Sequence, residues 1–544
     1  MNTAMKKIFI AMMAALSFAG CTLLDQYPHT ETTSNNVYAE AANYEAVLSG
    51  IYTSMIVNLS GISSDDRFQN YTRSLVMFQE ATTDNLDNVW AAGESTTNLN
   101  NLSWTAGDSW ISAIYYHIYN IVALCNEFIR NSSDEAISRF TADEQAQIVL
   151  WRNEARCLRA LAYSHALDLF PAVPFVDESD NVGSYIPRTY TRAELFDYLL
   201  SELSELSESG ALPESKYGHA TRGTAAALLA RICLNGEVYT GKPYYTECIA
   251  ACKTVLECGY SLESDYTRLF NADNHKRTNE IIFALACSAT HTVAWGAGTY
   301  LVCGSRFDND AGMTEDFGVA SYWNCLRTRP ELVAKFEEGD SRKLFGSRNR
   351  AVYTDTPEEG WYKVEGDTKY VYSDRPLTII GHDETTSGWL FNKWSNLTDA
   401  GEIASDTANN GAETDFPMFR LADVYLMLAE AVLRGGDGAT MSDALGYVNL
   451  VRERAFGAGK GSIAQGDLTL DFILDERARE LYTECTRRSD LIRFDKFTSG
   501  YNWNWKGGVK DGKDVDSKYR YFPIPEAELS ANPQMKAINT EYGF

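Results

Sequence analysis

The sequence predicts a mainly α protein, built of helical hairpins stacked side by side with a loop-rich insertion that holds short strands. Three observations carry this reading. Apolar residues recur at three- and four-residue offsets through residues 108–258 and again through 416–494. Small residues fall where neighbouring helices must approach each other. Between the two blocks, residues 259–415 lose the helical period and turn to Gly, Asp, Asn, Thr and aromatic residues. With 544 residues, 45% of them hydrophobic and 22% charged, the chain can bury a sizeable core.

At the N-terminus Lys6 and Lys7 precede an apolar run, residues 8–19, too short to cross a bilayer of ~30 Å. Phe18-Ala19-Gly20-Cys21 follows and resembles a bacterial lipobox, in which the cysteine thiol receives a diacylglycerol. Residues 1–20 then form a lipoprotein signal peptide, Cys21 is the lipidation site, and the polar residues 21–36 form a tether. Cleavage after Ser17-Phe18-Ala19, leaving Cys21 unmodified, is the alternative. Residues 37–544 are expected to be a single domain. It begins with a helix over 37–57 that has Ala41, Tyr44, Val47, Leu48 and Ile51 on one face. Residues 58–101 are polar with scattered aromatics (Phe68, Tyr71, Phe78, Trp90) and predict a long functional loop.

The first helical block continues with Trp110, Ile114, Tyr115, Ile118, Ile121 and Val122 on one stripe. A helix over 151–169 is stopped by Pro171 and Pro174, and helices over 191–206, 221–234 and 244–256 follow. Ala227 and Ala230 on one helix and Ala250 and Ala251 on the next are the small contact points of a tetratricopeptide hairpin. The irregular period by itself supports only α-hairpins. Residues 280–286 predict a strand. In 416–434, Leu421, Val424, Tyr425, Leu428 and Val432 make an apolar stripe, with Arg420, Asp423, Glu430 and Arg434 at pairing offsets and Gly435-Gly436 as the stop. In 470–494, Ile473, Leu474 and Leu481 share a face, flanked by Glu476, Glu480 and Glu484.

Composition excludes several functions. A net charge of -26 removes nucleic acid as a partner. Among seven histidines there is no HExxH pair, and no GxSxG elbow occurs. Residues 457–462 imitate a phosphate loop but lack Ser or Thr after Lys460. Asp308-Asn309-Asp310 starts like a calcium loop, yet Gly312 occupies the fifth position and the ligand order fails. Cys248, Cys252 and Cys258 lack the partners a metal site needs and read as buried thiols. No catalytic residue, cofactor or metal is predicted. Aromatic residues, 12% of the chain, are the better lead: a flat ring covers the C–H face of a sugar while Asp, Asn and Arg bind its hydroxyls. The competing reading makes most of them core anchors for long loops.

Seven stretches taken together add a resemblance. RLADVYLMLAEA, NLVRERA and ILDERARELYTECTRRSDLIRF lie in the C-terminal half, after WRNEARCLRALAYSHALDLFPAVPF and GHATRGTAAALLARICL, and with NEIIFAL and the ending YFPIPEAELSANPQM they resemble the SusD/RagB family in order and spacing. That resemblance implies tetratricopeptide units, the later ones formed by residues 416–484. It also implies an outer-membrane, cell-surface lipoprotein that captures oligosaccharides and acts as the lid of a TonB-dependent transporter of the SusC type. In the family's starch-binding member the sugar contacts follow the first helix; the matching positions here are Asp65, Arg73 and Trp90, with Asp84 structural. Trp295, Tyr300 and Trp323 join them as candidates from composition. Two rival readings stay open: a surface glycosidase, and a lid or adaptor for peptides or protein partners.

Overall fold

Threonine opens the helices of this scaffold. Thr141, Thr191 and Thr440 each accept a hydrogen bond from the amide three residues on, and the carboxylates of Glu144, Glu194 and Asp443 accept one from the threonine amide at 2.8–2.9 Å. Such boxes satisfy two otherwise orphaned N–H groups and are worth about 1 kcal/mol per cap. The computed structural model describes residues 37–544 apart from 91–92, 181–182, 184, 293, 306–316, 320–322, 324, 346–352, 357–359, 366–367, 372–388 and 406–410. The predicted lipidation site Cys21 and the aspartates of residues 308–310 therefore lie outside the described residues. By contact the chain divides into residues 1–44 and 45–544. In the first unit the Tyr38 and Tyr44 rings meet at 4.9 Å.

In the second unit the helices pack largely in chain order. Ser109–Asn131 lies against Ala142–Leu169, which lies against Arg192–Leu206; that helix meets Arg222–Leu234, and that one meets Tyr245–Glu257. The stack then skips the insertion: Leu421–Leu433 packs on Tyr245–Glu257, and Met441–Phe456 and Leu470–Leu481 pack on Leu421–Leu433. Ala225, Ala226, Ala227 and Ala230 are fully buried, as are Cys248 and Cys252 as free thiols, so small side chains let these helices close up. This is the expected mainly helical, tetratricopeptide-type architecture. Among the described residues no helix is long and apolar enough to cross a membrane.

Three sequence expectations are corrected. Residues 416–434 are not one helix: Phe416–Arg420 is a strand paired antiparallel with Ile281–Leu285, and the helix is Leu421–Leu433. Its end does follow the Gly-Gly signal, since Gly435 (φ +89) and Gly436 donate to Val432 and Ala431, closing a Schellman turn. Residues 470–494 break between Leu470–Leu481 and Arg487–Arg493, where Thr483 (φ 64) and Cys485 (φ 63) take left-handed backbone. The amides of Cys485 and Thr486 in that break donate to the Glu80 carboxylate at 2.8 and 3.3 Å. Residues 58–101 are not one loop: Tyr71–Gln79 is a helix with all nine residues buried, capped by the Asn70 side chain. The strand expected over 280–286 is present as Ile281–Leu285.

The acidic and basic residues of 416–494 pair across elements as well as along their own helices, where Glu430 meets Arg434, Glu476 meets Arg479 and Asp490 meets Arg493. Arg420 reaches Glu280 at 2.7 Å, Glu480 at 2.9 Å and Glu484 at 2.6 Å. Arg342 reaches Asp340, Glu476 and Glu480 at 2.7–3.1 Å, and the Lys393 ammonium meets Glu484 at 2.6 Å. All these side chains are buried. Asp423 holds Arg231 and Arg477, and Glu430 holds Arg434 and Arg493. Asp84 is buried on Arg487 at 2.7 Å, and its carboxyl lies at about 2 because the nearby arginine outweighs the cost of burial. The insertion adds an antiparallel three-stranded sheet, Tyr353–Thr356, Gly360–Glu365 and Thr368–Val371.

Candidate functional site

Two tryptophans from different stretches of the insertion meet face to face. Trp295 and Trp323 stack with centroids 5.6 Å apart and planes 27° from parallel. Trp295 is 39% exposed and Trp323 is half-buried, so the pair presents a flat aromatic surface to solvent. Tyr300 lies on the other side of Trp323 at 6.0 Å. Glycine sets the position of Trp295. A Cβ on Gly296 would stand 1.8 Å from Asn70 Oδ1, and one on Gly298 would stand 2.0 Å from the Thr414 carbonyl. Only at this close approach can the turn enter helix Ala297–Gly304. The Trp295 amide donates to Asn58 Oδ1 at 3.2 Å, and the Asn70 amide reaches the same oxygen at 3.4 Å.

Beneath the tryptophans the layer is polar and tightly satisfied. Tyr300 is fully buried; its hydroxyl accepts from Asn88 Nδ2 at 3.1 Å, and burial pushes its phenol well above the ordinary range. Asn88 Oδ1 accepts from the Trp90 amide at 2.9 Å. The Arg73 guanidinium lies 4.6 Å over the Tyr300 ring and pairs with buried Glu94. Asp65 hydrogen-bonds Arg67, which also reaches the Gly93 carbonyl; that contact holds the Asp65 carboxyl below its usual range. Glu94, Arg73, Tyr300, Trp323 and Trp295 are thus joined by successive contacts, and the Asp65–Arg67 pair reaches the same strip of backbone at Gly93.

The structure brings the six predicted residues into one region but divides their roles. Trp295, Trp323 and half-buried Trp90 remain accessible. Arg73 and Tyr300, expected to touch the ligand, are both buried, Arg73 paired with Glu94 and Tyr300 bonded to Asn88, which places them beneath the tryptophans. Asp65 keeps partial exposure with its carboxylate committed to Arg67. Trp389 and Trp394, read as loop aromatics, are core residues, as are Trp503 and Trp505. Tyr322 and Tyr372, with the side chains of Trp361, Tyr362 and Tyr370, lie outside the described set. Sequence reasoning missed Asn58, Asn70 and Gly296, which orient Trp295. The glycines alternating with small residues after Trp295 were the signal that backbone passes close there.

The fold is thus a stack of α-hairpins whose loop-rich insertion displays two stacked, partly exposed indoles above a buried polar base. Comparison with known proteins gives the family. The model of the SusD family matches residues 279–542. The starch-binding protein SusD of Bacteroides thetaiotaomicron is 30% identical over 498 residues, 87% of this chain and 86% of its own. A SusD-like protein of Bacteroides ovatus is 23% identical over 95% of this chain and 88% of its own. Among solved structures, surface glycan-binding protein A from Bacteroides thetaiotaomicron in complex with laminarihexaose has a TM-score of 0.67 at 18% identity, covering 91% of this chain and 98% of the other. The chain belongs to the SusD family.

Proposed function

We propose that this chain is a non-catalytic, cell-surface glycan-binding protein, anchored in the outer membrane through a lipid on Cys21, that captures oligosaccharides and serves as the lid of a SusC-type TonB-dependent transporter. The observation that carries the sugar-binding part is the exposed Trp295–Trp323 stack. Its flat apolar face suits the C–H face of a pyranose, and half-buried Trp90, whose amide is held by the Asn88 that also bonds Tyr300, is a third candidate ring. Two relatives support the ligand class: one is named for binding starch, and one solved neighbour holds laminarihexaose. The rigid base of Arg73, Glu94, Asn88 and Tyr300 keeps the platform preorganised, so little ordering cost falls on binding.

The test is calorimetry of the purified chain and its Trp295→Ala variant against malto-oligosaccharides, laminarihexaose and other oligosaccharides. Trp295 leaves 39% of its surface exposed. On a side chain of up to ~250 Å² that is about 100 Å². Covering it at about 25 cal/mol per Å² gives about 2.5 kcal/mol. The expected loss is therefore roughly 10- to 60-fold in affinity with an unchanged melting temperature. Equal affinity of the variant for the oligosaccharide bound by the parent overturns the assignment.

A further inference from the structure

A second concavity opens beside the platform, with a cavity volume of about 160 Å³. Its walls include Tyr52, Thr53, Ile56, His219, Ala286 and Thr292. It shares two segments with the tryptophan stack. The Ile56 carbonyl accepts from Asn70, and Asn58, two residues on, holds the Trp295 amide. Thr292 stands three residues before Trp295.

The floor of this pocket is a carboxylate removed from water. Glu154 is 1% exposed and accepts from the Tyr52 hydroxyl at 2.7 Å and from His219 Nδ1 at 2.8 Å. The Tyr52 oxygen accepts in turn from the Ala220 amide at 2.7 Å. Burial and the neighbouring carboxylate push the Tyr52 phenol well above its ordinary range, so it stays a donor to Glu154. With Nδ1–H donating to Glu154, the His219 ring turns Nε2 to its far side, away from the pair. Nε2 has no protein partner among the described residues. Gly218, at φ +73, makes the turn that brings His219 to this position, a conformation only glycine adopts without strain. A histidine ring fixed by a buried carboxylate, with apolar Ile56 and Ala286 opposite, is a built recognition element rather than a random cleft.

We propose that this pocket binds a single neutral pyranose ring, a branch or terminal residue of the oligosaccharide lying on the Trp295–Trp323 platform; the inference rests on the glycan-binding reading above. The volume matches one six-membered ring, since a cavity of about 150 Å³ accepts benzene. Ile56 and Ala286 cover ring C–H groups, while His219 Nε2 accepts from a ring hydroxyl and the Thr53 hydroxyl bonds a second. An acceptor nitrogen backed by a carboxylate repels a carboxylate ligand, so uronic acids are excluded.

Saturation-transfer NMR on the full chain, with glucose, galactose, mannose, xylose and glucuronic acid as probes, tests the pocket apart from the platform. At least one neutral monosaccharide is expected to show transfer with the parent chain and with Trp295→Ala. That signal drops at least fivefold in His219→Ala, and glucuronic acid shows none. Ala286→Phe fills the pocket from the opposite wall without touching the Glu154 pair, and gives the same loss should His219→Ala fail to fold. Transfer that survives both pocket variants, or that vanishes only in Trp295→Ala, overturns the pocket. If the parent chain binds oligosaccharides through Trp295 but no monosaccharide reaches His219, the pocket falls and the platform stands. His219-dependent monosaccharide binding with oligosaccharide affinity indifferent to Trp295 supports the pocket and removes the platform.

Discussion

Replacing Glu80 by Gln isolates the energetic cost of one buried charge. Glu80 is fully buried, and desolvation raises its carboxyl from the ordinary 4.5 to about 7. The folded protein therefore holds this proton more tightly than the unfolded chain does. The associated stability is whole below pH 4.5 and is lost as pH rises through 7. The interval of 2.5 pH units, at about 1.4 kcal/mol each, makes the loss about 3 kcal/mol. Glutamine stays neutral throughout: its oxygen accepts from Cys485 and Thr486, while its NH2 replaces the oxygen that accepts from Asn85 Nδ2 at 2.9 Å, so the Asn85 amide flips to present its otherwise unpartnered Oδ1. The assay is urea unfolding of both proteins between pH 4.5 and pH 8. Other groups titrate in the same range, with Asp415 raised by burial to about 6 and His117 and His165 lowered by burial to about 4. They are common to both chains and cancel in the difference. The stability of Glu80→Gln relative to the parent is expected to rise by about 3 kcal/mol across the range. A difference that stays constant with pH refutes the reasoning.

Further perturbations address the platform and the ion network. Gly296→Ala drives a Cβ to 1.8 Å from Asn70 Oδ1, an atom already fixed by accepting from the Thr72 hydroxyl and the Arg73 amide. It is expected to cost about 1–3 kcal/mol and to weaken oligosaccharide binding together with the melting temperature; binding lost without any change in melting would contradict the packing account. Arg420→Ala takes one of their cations from Glu280, Glu480 and Glu484, leaving Arg454, Arg342 and Lys393, and is expected to cost about 3 kcal/mol in denaturant unfolding, with Arg420→Lys intermediate because it keeps the charge without the fork. An unchanged unfolding midpoint for Arg420→Ala would show that the network carries no such balance.

The helices 192–206 and 245–257 were legible because each buries one face and leaves a polar one, so its period shows in the sequence, while 222–234, buried almost throughout, was legible from its run of Ala and Leu behind Thr221. Helix Tyr71–Gln79 was not, because all nine residues are buried and no polar face exists to mark the period. The strand Phe416–Arg420 escaped for a related reason: buried throughout, it runs straight into Leu421–Leu433 with no turn residue between. Charges at three- and four-residue offsets suggested ladders along single helices, yet Arg420 and Glu430 find partners some sixty residues away. At the candidate site, residue type pointed to the right region and could not separate contact from support. Trp295 and Tyr300 look alike in composition, and only burial divides them. The Trp295–Trp323 stack is a tertiary contact with no local periodicity to announce it.

The charged lattice also fixes when this protein can finish folding. Arg342, Lys393 and Arg420 draw countercharge from Glu476, Glu480 and Glu484, beyond what the nearer Asp340 and Glu280 supply. A nascent chain that has emerged as far as the insertion holds cations and anions whose counterparts are still unmade, and dry closure of that region is forbidden to it. The N-terminal hairpins can form early, but the centre locks only after residue 484 has arrived, which makes the last tenth of the polypeptide the arbiter of assembly.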